Sequence, residues 1–207
     1  MRTDRRLLLA SHNQGKLREL GELLRDLPFI ITSLDDFPNL QPVQETGSTF
    51  AENSCVKATG YARQTRLLTI ADDSGLEVKA LGNRPGVFSA RYAGSGASDE
   101  QRTQKLLLEM TSLRSEDRSA RFCCSVALAD DVDQVIHISN GVCEGRIAVG
   151  PRGSGGFGYD PIFIPEGFQQ TFAELKPEIK NQISHRARAL AGARDFLRSL
   201  TSSSNAR

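Results

Sequence analysis

The run Ala71-Asp72-Asp73-Ser74-Gly75-Leu76 places two adjacent carboxylates and a hydroxyl behind an apolar stretch, Leu67-Leu68-Thr69-Ile70-Ala71. That stretch reads as a buried strand, short, apolar and partly β-branched. Carboxylates at a strand end beside a Ser-Gly turn are placed to hold a hard cation such as Mg2+ and to take a proton from water. Successive strand side chains point to opposite faces. A strand through both acids therefore sends Asp72 and Asp73 to different surroundings, one functional and one structural. Taken alone, the pair also fits plain turn chemistry, so its meaning depends on what the rest of the chain supplies.

Four further runs carry chemistry. Ser11-His12-Asn13-Gln14-Gly15-Lys16 lies between a short apolar run and a helical pattern, where backbone N–H groups at a helix start and a Lys attract a phosphate. It is not a Walker A loop, which needs Gly at Ala10 and Ser or Thr at Leu17; it also describes an Asn-capped helix with an exposed Lys. Gly153-Ser154-Gly155-Gly156-Phe157-Gly158-Tyr159-Asp160-Pro161 allows close backbone approach, with Phe157 or Tyr159 able to stack on a flat heterocycle and Asp160 to read its edge. A glycine turn anchored by aromatics is the alternative. Ser184-His185-Arg186 places two cations in a helix first turn, against the helix dipole, unless an anion or carbonyl acceptor offsets them; Lys180 stands just upstream. Solvated basic residues are the alternative there. Glu45-Thr46-Gly47 precedes a helix carrying Glu52, Asn53 and Lys57, which adds a second metal carboxylate and a Lys able to reach a phosphate, or simply surface charges.

The elements that must position these groups follow from periodicity. Strands are expected at Leu7–Ala10, Phe29–Ile31, Leu67–Ala71 with a continuation at Leu76–Val78, and Ile162–Ile164. Arg121–Ala129 and Gln134–Val149 read as two long antiparallel strands. Helices are expected at Lys16–Arg25, Thr49–Arg63, Ser98–Met110 and His185–Leu200, the last with the stripe Leu190, Ala193, Leu197 and Leu200. Residues 34–47 and 82–96 read as loops, and 201–207 as a frayed tail. The pattern is α/β, a mixed central sheet with long antiparallel strands flanked by helices, in a single domain spanning 1–207.

Bulk composition narrows the partners. With 26 basic and 25 acidic residues the net charge is +1, which argues against stable nucleic-acid binding or an anionic membrane. Cys55, Cys123, Cys124 and Cys143 show no CxxC spacing, so no disulfide framework or zinc site is expected and a reducing cytoplasm is the simplest setting. No apolar run reaches membrane-span length, and Leu7 to Ala10 is too short for a signal peptide core.

Together the runs describe a nucleoside-triphosphate site. The ordered set SHNQGK, ETGSTFAENSCVKA, ADDSGLEVKALGNRPGVFSARYAG, GSGGFGYDPIFIP and KNQISHRARAL resembles the inosine/xanthosine triphosphate pyrophosphatases over about Leu7 to Leu200. The resemblance implies a nucleotide cleft between two lobes and a small-molecule purine triphosphate substrate such as ITP, dITP or XTP. Hydrolysis between the α- and β-phosphates would give the monophosphate and pyrophosphate. It implies Asp73 as the group that binds Mg2+ and activates water, with Glu45 helping to hold the metal. Ser11, His12, Asn13, Gln14, Gly15, Lys16 and Lys57 would bind the phosphates, and Ser74 the nucleotide. Phe157, Gly158, Tyr159 and Asp160 would line base and sugar, with Lys180, His185 and Arg186 on the base-recognising side. It also implies a homodimer. His12, Gln44 and Phe88 stand where many members carry Gly, an acid and Tyr, and none of the three removes a proposed catalytic group. A pyrophosphatase for modified pyrimidine or other nucleotides, and a nucleotide-binding regulator without turnover, are the two competing functions.

Overall fold

The computed structural model describes residues 5–111 and 118–202. Seven strands and five helices occur among them: β1 (Arg6–Leu9), α1 (Gln14–Leu24), β2 (Ile30–Ser33), α2 (Phe50–Thr65), β3 (Leu68–Val78), β4 (Arg84–Pro85), α3 (Asp99–Glu109), β5 (Ser119–Ala129), β6 (Val135–Ile147), β7 (Phe163–Pro165), α4 (Pro177–Ile183) and α5 (His185–Ser202). The strand order is β2-β1-β3-β5-β6-β7, with β4 paired to β3. β1 pairs parallel to both β2 and β3, while β3–β4 and β6–β7 are antiparallel. The mixed α/β architecture expected from the sequence is the one observed.

The chain divides into two compact units. Unit 1 comprises the described residues up to Asp73, Cys124–Gly141, and those from Ala187 on. Its strands obey a strict alternation. Leu7, Leu9 and Ile70 turn to one face, where α1 (Leu20, Leu24) and α5 (Ala189, Leu190, Ala193, Leu197) cover them. Leu8, Ala10 and Ala71 turn to the other, against Ala58, Tyr61 and Ala62 of α2. Each large aliphatic side chain fully removed from water contributes about 1.5–3 kcal/mol, so a one-residue slip, which would move every one of them to the wrong face, is strongly disfavoured. The β5–β6 hairpin closes on Asp130, whose Oδ1 accepts from the amides of Val132 (3.2 Å) and Gln134 (2.8 Å).

Unit 2 comprises Ser74–Cys123 and Val142–Arg186. Its core gathers Leu76, Leu106, Met110, Phe122, Tyr159, Phe163 and Phe172, with Phe122 edge-on to Phe163 at 4.6 Å. The expected loop at 82–96 holds the short β4, with a cis Arg84–Pro85 bond, and a 3-10 turn over Gly86–Arg91. α4, over a stretch for which the sequence suggests no element, begins after Lys176, with Pro177 at its first position, where a missing N–H costs nothing. Three expectations are corrected. The strand through the acids does not end at a Ser-Gly turn; β3 is continuous for 11 residues. The last helix continues through 201–202, and the rest of the expected frayed tail lies outside the described residues. The β6 pattern stops at Ile147, not Val149, because the next residues leave the ladder toward Pro151.

Two acids in unit 2 make stability pH-dependent at the alkaline end. Burial, helped by the Glu77 carboxylate, pushes the Cys123 thiol up to about 12 from an ordinary 9.0. Burial and the hydrogen bond it donates to Glu109 push Tyr92 up to about 12 from 10.0. Both stay protonated in the folded chain while the unfolded chain has begun to lose these protons. Their contribution is therefore complete below about pH 9 and is lost as pH rises toward about 12. The urea midpoint should fall steadily over that interval, and less steeply in Cys123→Ala/Tyr92→Phe. Equal slopes in the two proteins would refute this.

Candidate active site

Strand alternation separates the two central acids within unit 1. Asp72 continues the face of Ile70 and meets α1; Asp73 continues the face of Ala71 and meets α2. Both are buried. Asp72 accepts the Lys16 ammonium at 3.1 Å and lies 3.9 Å from the Cys124 thiol. Asp73 lies 3.6 Å from the Lys57 ammonium, which also meets Glu45 at 3.1 Å. One buried cation thus holds two carboxylates from different segments.

α2 supplies this geometry from its first turns. Thr49 caps it: its hydroxyl accepts from the Glu52 amide while Glu52 accepts from the Thr49 and Ser48 amides. Asn53 and Lys57 follow at i, i+4 on one face. Asn53, fully buried, donates from Nδ2 to Asp73 at 3.0 Å and accepts on Oδ1 from the Gly47 amide at 2.8 Å. It ties the Glu45 loop to the carboxylate. Gly47 cannot be replaced cheaply, since a Cβ there would stand 2.6 Å from Cβ of Glu52 and 2.8 Å from Oδ1 of Asn53.

Electrostatics follow burial. Burial is the largest influence on Asp73 and raises its carboxyl above the ordinary range, against the opposing pull of Lys57 and Lys16. Burial also depresses the Lys57 ammonium, but Asp73, Asp72 and Glu45 together outweigh it and hold it above its ordinary value. Among the described residues no group of three or more His, Cys, Asp or Glu forms a metal cage. Glu45 and Asp73 meet one shared cation, and their carboxylates are hard oxygen donors of the kind that hold a divalent metal.

The first loop is a capped helix start. Asn13 Oδ1 accepts from the Lys16 amide at 3.1 Å and Ser11 Oγ from the Asn13 amide at 3.2 Å. Asn13's oxygen therefore serves the cap, and the first-turn amides around Gln14 and Gly15 are what an anion would meet. The exposed His12 ring approaches Tyr61 edge-on at 6.4 Å.

Unit 2 holds the second constellation. Phe157 lies under two cations, Lys180 Nζ at 5.0 Å and the Arg186 guanidinium at 5.6 Å. Lys180 forms an ion pair with Asp160, which also accepts the Phe157 amide at 2.9 Å. Gly156, at φ 71°, must lack a Cβ because one would run into that carboxylate. Arg186 Nη2 donates to Ser74 Oγ at 2.9 Å. His185 stacks on Phe122 at 4.6 Å, 10° from parallel. Lys180, His185 and Arg186 are all buried, so they are not solvated surface charges. Tyr159 is also buried, its hydroxyl donating to the Ser89 carbonyl at 3.0 Å, and it belongs to the core, whereas Phe157 stays partly exposed. Gly158 donates its amide to Asp99 at 2.6 Å.

Three residues escaped the sequence reading as site members. Asn53 carried a signal: an amide side chain just inside a helix is unfavourable without a partner. Phe122 and Asp99 carried none, since a strand aromatic and a first-turn Asp are what any strand and helix would use.

The Asp72–Lys16 pair carries a prediction. Replacing Asp72 with Asn removes the carboxylate that the mostly buried Lys16 ammonium meets at 3.1 Å, which costs about 3 kcal/mol. It also releases the Lys of the phosphate loop, so turnover should fall together with stability. Urea unfolding and initial rates would check this; an unchanged unfolding midpoint would refute it.

The fold is α/β; unit 1 presents cations and helix-start amides suited to an anion, and unit 2 presents an aromatic face beside buried basic groups. The chain belongs to the Ham1 family, whose model matches residues 7–196. It is 49% identical over 192 residues to the dITP/XTP pyrophosphatase of Geobacter sulfurreducens, covering 93% of this chain and 96% of that protein. It is 50% identical over 185 residues to that of Coxiella burnetii, covering 89% and 92%. Among solved structures, a HAM1 protein from Coxiella burnetii superposes with a TM-score of 0.85 at 47% identity, covering 94% of this chain and 99% of that one. A nucleoside-triphosphatase/dITP/XTP pyrophosphatase from Mycobacterium abscessus gives 0.73 at 42% identity, covering 90% and 97%.

Proposed function

We propose that this protein is a nucleoside triphosphate pyrophosphatase acting on deaminated purine nucleotides, dITP, ITP and XTP. The observation that carries the reading is the Lys57 ammonium shared by Glu45 and Asp73. The names of relatives at 49–50% identity support the substrate class. Glu45 and Asp73 would hold Mg2+, which when bound neutralises phosphate charge. Lys16, Lys57 and the first-turn amides of α1 hold the triphosphate. Asp73, its affinity for a proton raised by burial, takes a proton from the attacking water. One water is consumed, the α–β anhydride bond breaks, and monophosphate and pyrophosphate leave.

Phe157 offers a face for the base, and Lys180, His185 and Arg186 supply donors. A 6-oxo purine presents an acceptor to them, whereas adenine presents an amino group that would meet a donor and leave it unpaired. Removal of such nucleotides keeps them out of DNA and RNA. A cytoplasmic homodimer accompanies this reading, on the resemblance of the sequence to its family.

The test is a panel of ITP, XTP, dUTP, methylated nucleotides and ATP, with and without Mg2+, with product identification. Pyrophosphate release from ITP and XTP, well above the others and only with Mg2+, is expected. Preference for dUTP or methylated nucleotides would favour a different pyrophosphatase, release of phosphate would move the cleavage point, and binding without turnover would make the protein a regulator.

A further inference from the structure

A cavity of about 600 Å³ opens in unit 2, and none of its lining residues belongs to either constellation. Its volume falls within the range of small-molecule sites. Three arginines line it, Arg118, Arg146 and Arg152, together with Gln169 and an apolar wall that includes Val149 and Ile164. Arg118 is the informative one. It is only 9% exposed, and its Nε and Nη2 donate to the carbonyls of Ile147 (2.8 Å) and Ala148 (2.7 Å). Those bonds fix the guanidinium, no carboxylate among the described residues pairs with it, and burial lowers its pKa from the ordinary value. Arg146 donates to Gln169 Oε1 at 2.9 Å and Arg152 to the Gln169 carbonyl at 2.7 Å. The one carboxylate in ion-pair range of the three, among the described residues, is Glu174, 3.5 Å from Arg152. Three cations against one acid, one of them buried, is an arrangement that a bound anion stabilises. Arginines recognise phosphate oxygens in particular, through paired N–H groups. Val149, 90% exposed, is an apolar side chain left facing solvent at the same place.

We propose that this cavity is a second ligand site, for a phosphate monoester of mononucleotide size, with the phosphate on the arginines and the organic part on the apolar wall. The proposal does not depend on the catalytic reading. It is tested by calorimetry with AMP, whose adenine the catalytic constellation is argued to disfavour, alongside adenosine and inorganic phosphate. The variant is Arg146→Gln/Arg152→Gln, because both side chains are exposed, whereas losing Arg118 would strand two carbonyls and endanger folding. One saturable AMP site per chain is expected. Adenosine and phosphate should each bind at least about tenfold more weakly, and the double variant should weaken AMP by at least about tenfold with ITP turnover unchanged. AMP binding should survive in Lys16→Ala. Absence of saturable AMP binding, or binding unaltered by the arginine changes, overturns the site. Equal binding of adenosine overturns the role of the arginines, equal binding of phosphate that of the wall, and loss in Lys16→Ala places the AMP elsewhere.

Discussion

Asp73→Asn should lower kcat by about 10³-fold or more while leaving the protein folded, because the amide can neither take a proton from water nor carry the charge a cation needs. The fold survives for identifiable reasons. Asn keeps an oxygen to accept from Asn53, which donates to this position at 3.0 Å. Lys57 keeps Glu45 at 3.1 Å, so no cation is stranded. Removing a carboxylate whose burial opposes its ionisation relieves a cost as well. A stability change under about 1 kcal/mol would move Tm by only about 2–4 °C in a chain of this size. The informative comparison is Asp72→Asn one residue away, where the losses should be reversed in weight: stability first, turnover second. Near-normal turnover in Asp73→Asn removes it as the base, and equal phenotypes at the two positions remove the division of labour between them.

That division is legible in the sequence, because period-two alternation is a property of the backbone and not of context. Leu7 to Ala10 and Ile70 to Asp73 follow it without exception. Ser74 and Gly75 favour a turn locally, yet they lie inside β3, which runs unbroken between β1 and β5 and pairs with β4 further on at Glu77 and Val78. Tertiary pairing overrode a weak local preference. The buried state of Lys180, His185 and Arg186 was equally hidden. Three basic residues within the seven from Lys180 to Arg186 fit either a solvated face or a binding site until Phe122, Phe157 and Asp160, distant in sequence, close over them. Motif order locates such groups, but only packing decides whether a charge is solvated.

Lys180 and Asp160 offer the sharpest separation of stability from specificity. Both side chains are almost fully buried, 7% and 3% exposed, and they form an ion pair. Lys180→Met should cost about 3–5 kcal/mol, because the Asp160 carboxylate is left buried without its cation. Adding Asp160→Asn should restore much of that loss, since a neutral amide has little charge to compensate and its oxygen still accepts from the Phe157 amide. The methionine retains contact with Phe157 and Phe172, whose rings now face the ammonium at 5.0 and 5.5 Å. If Lys180 serves only to hold the glycine loop, the double variant should regain its preference for ITP over ATP along with its stability. The expectation here is the opposite. A charged donor toward the 6-oxo group contributes about 1.5–3 kcal/mol, so the ratio of kcat/KM for ITP and ATP should stay roughly 10–150-fold below wild type even where unfolding shows the fold repaired. Recovery of both quantities together would assign Lys180 to the loop and leave base recognition to His185 and Arg186.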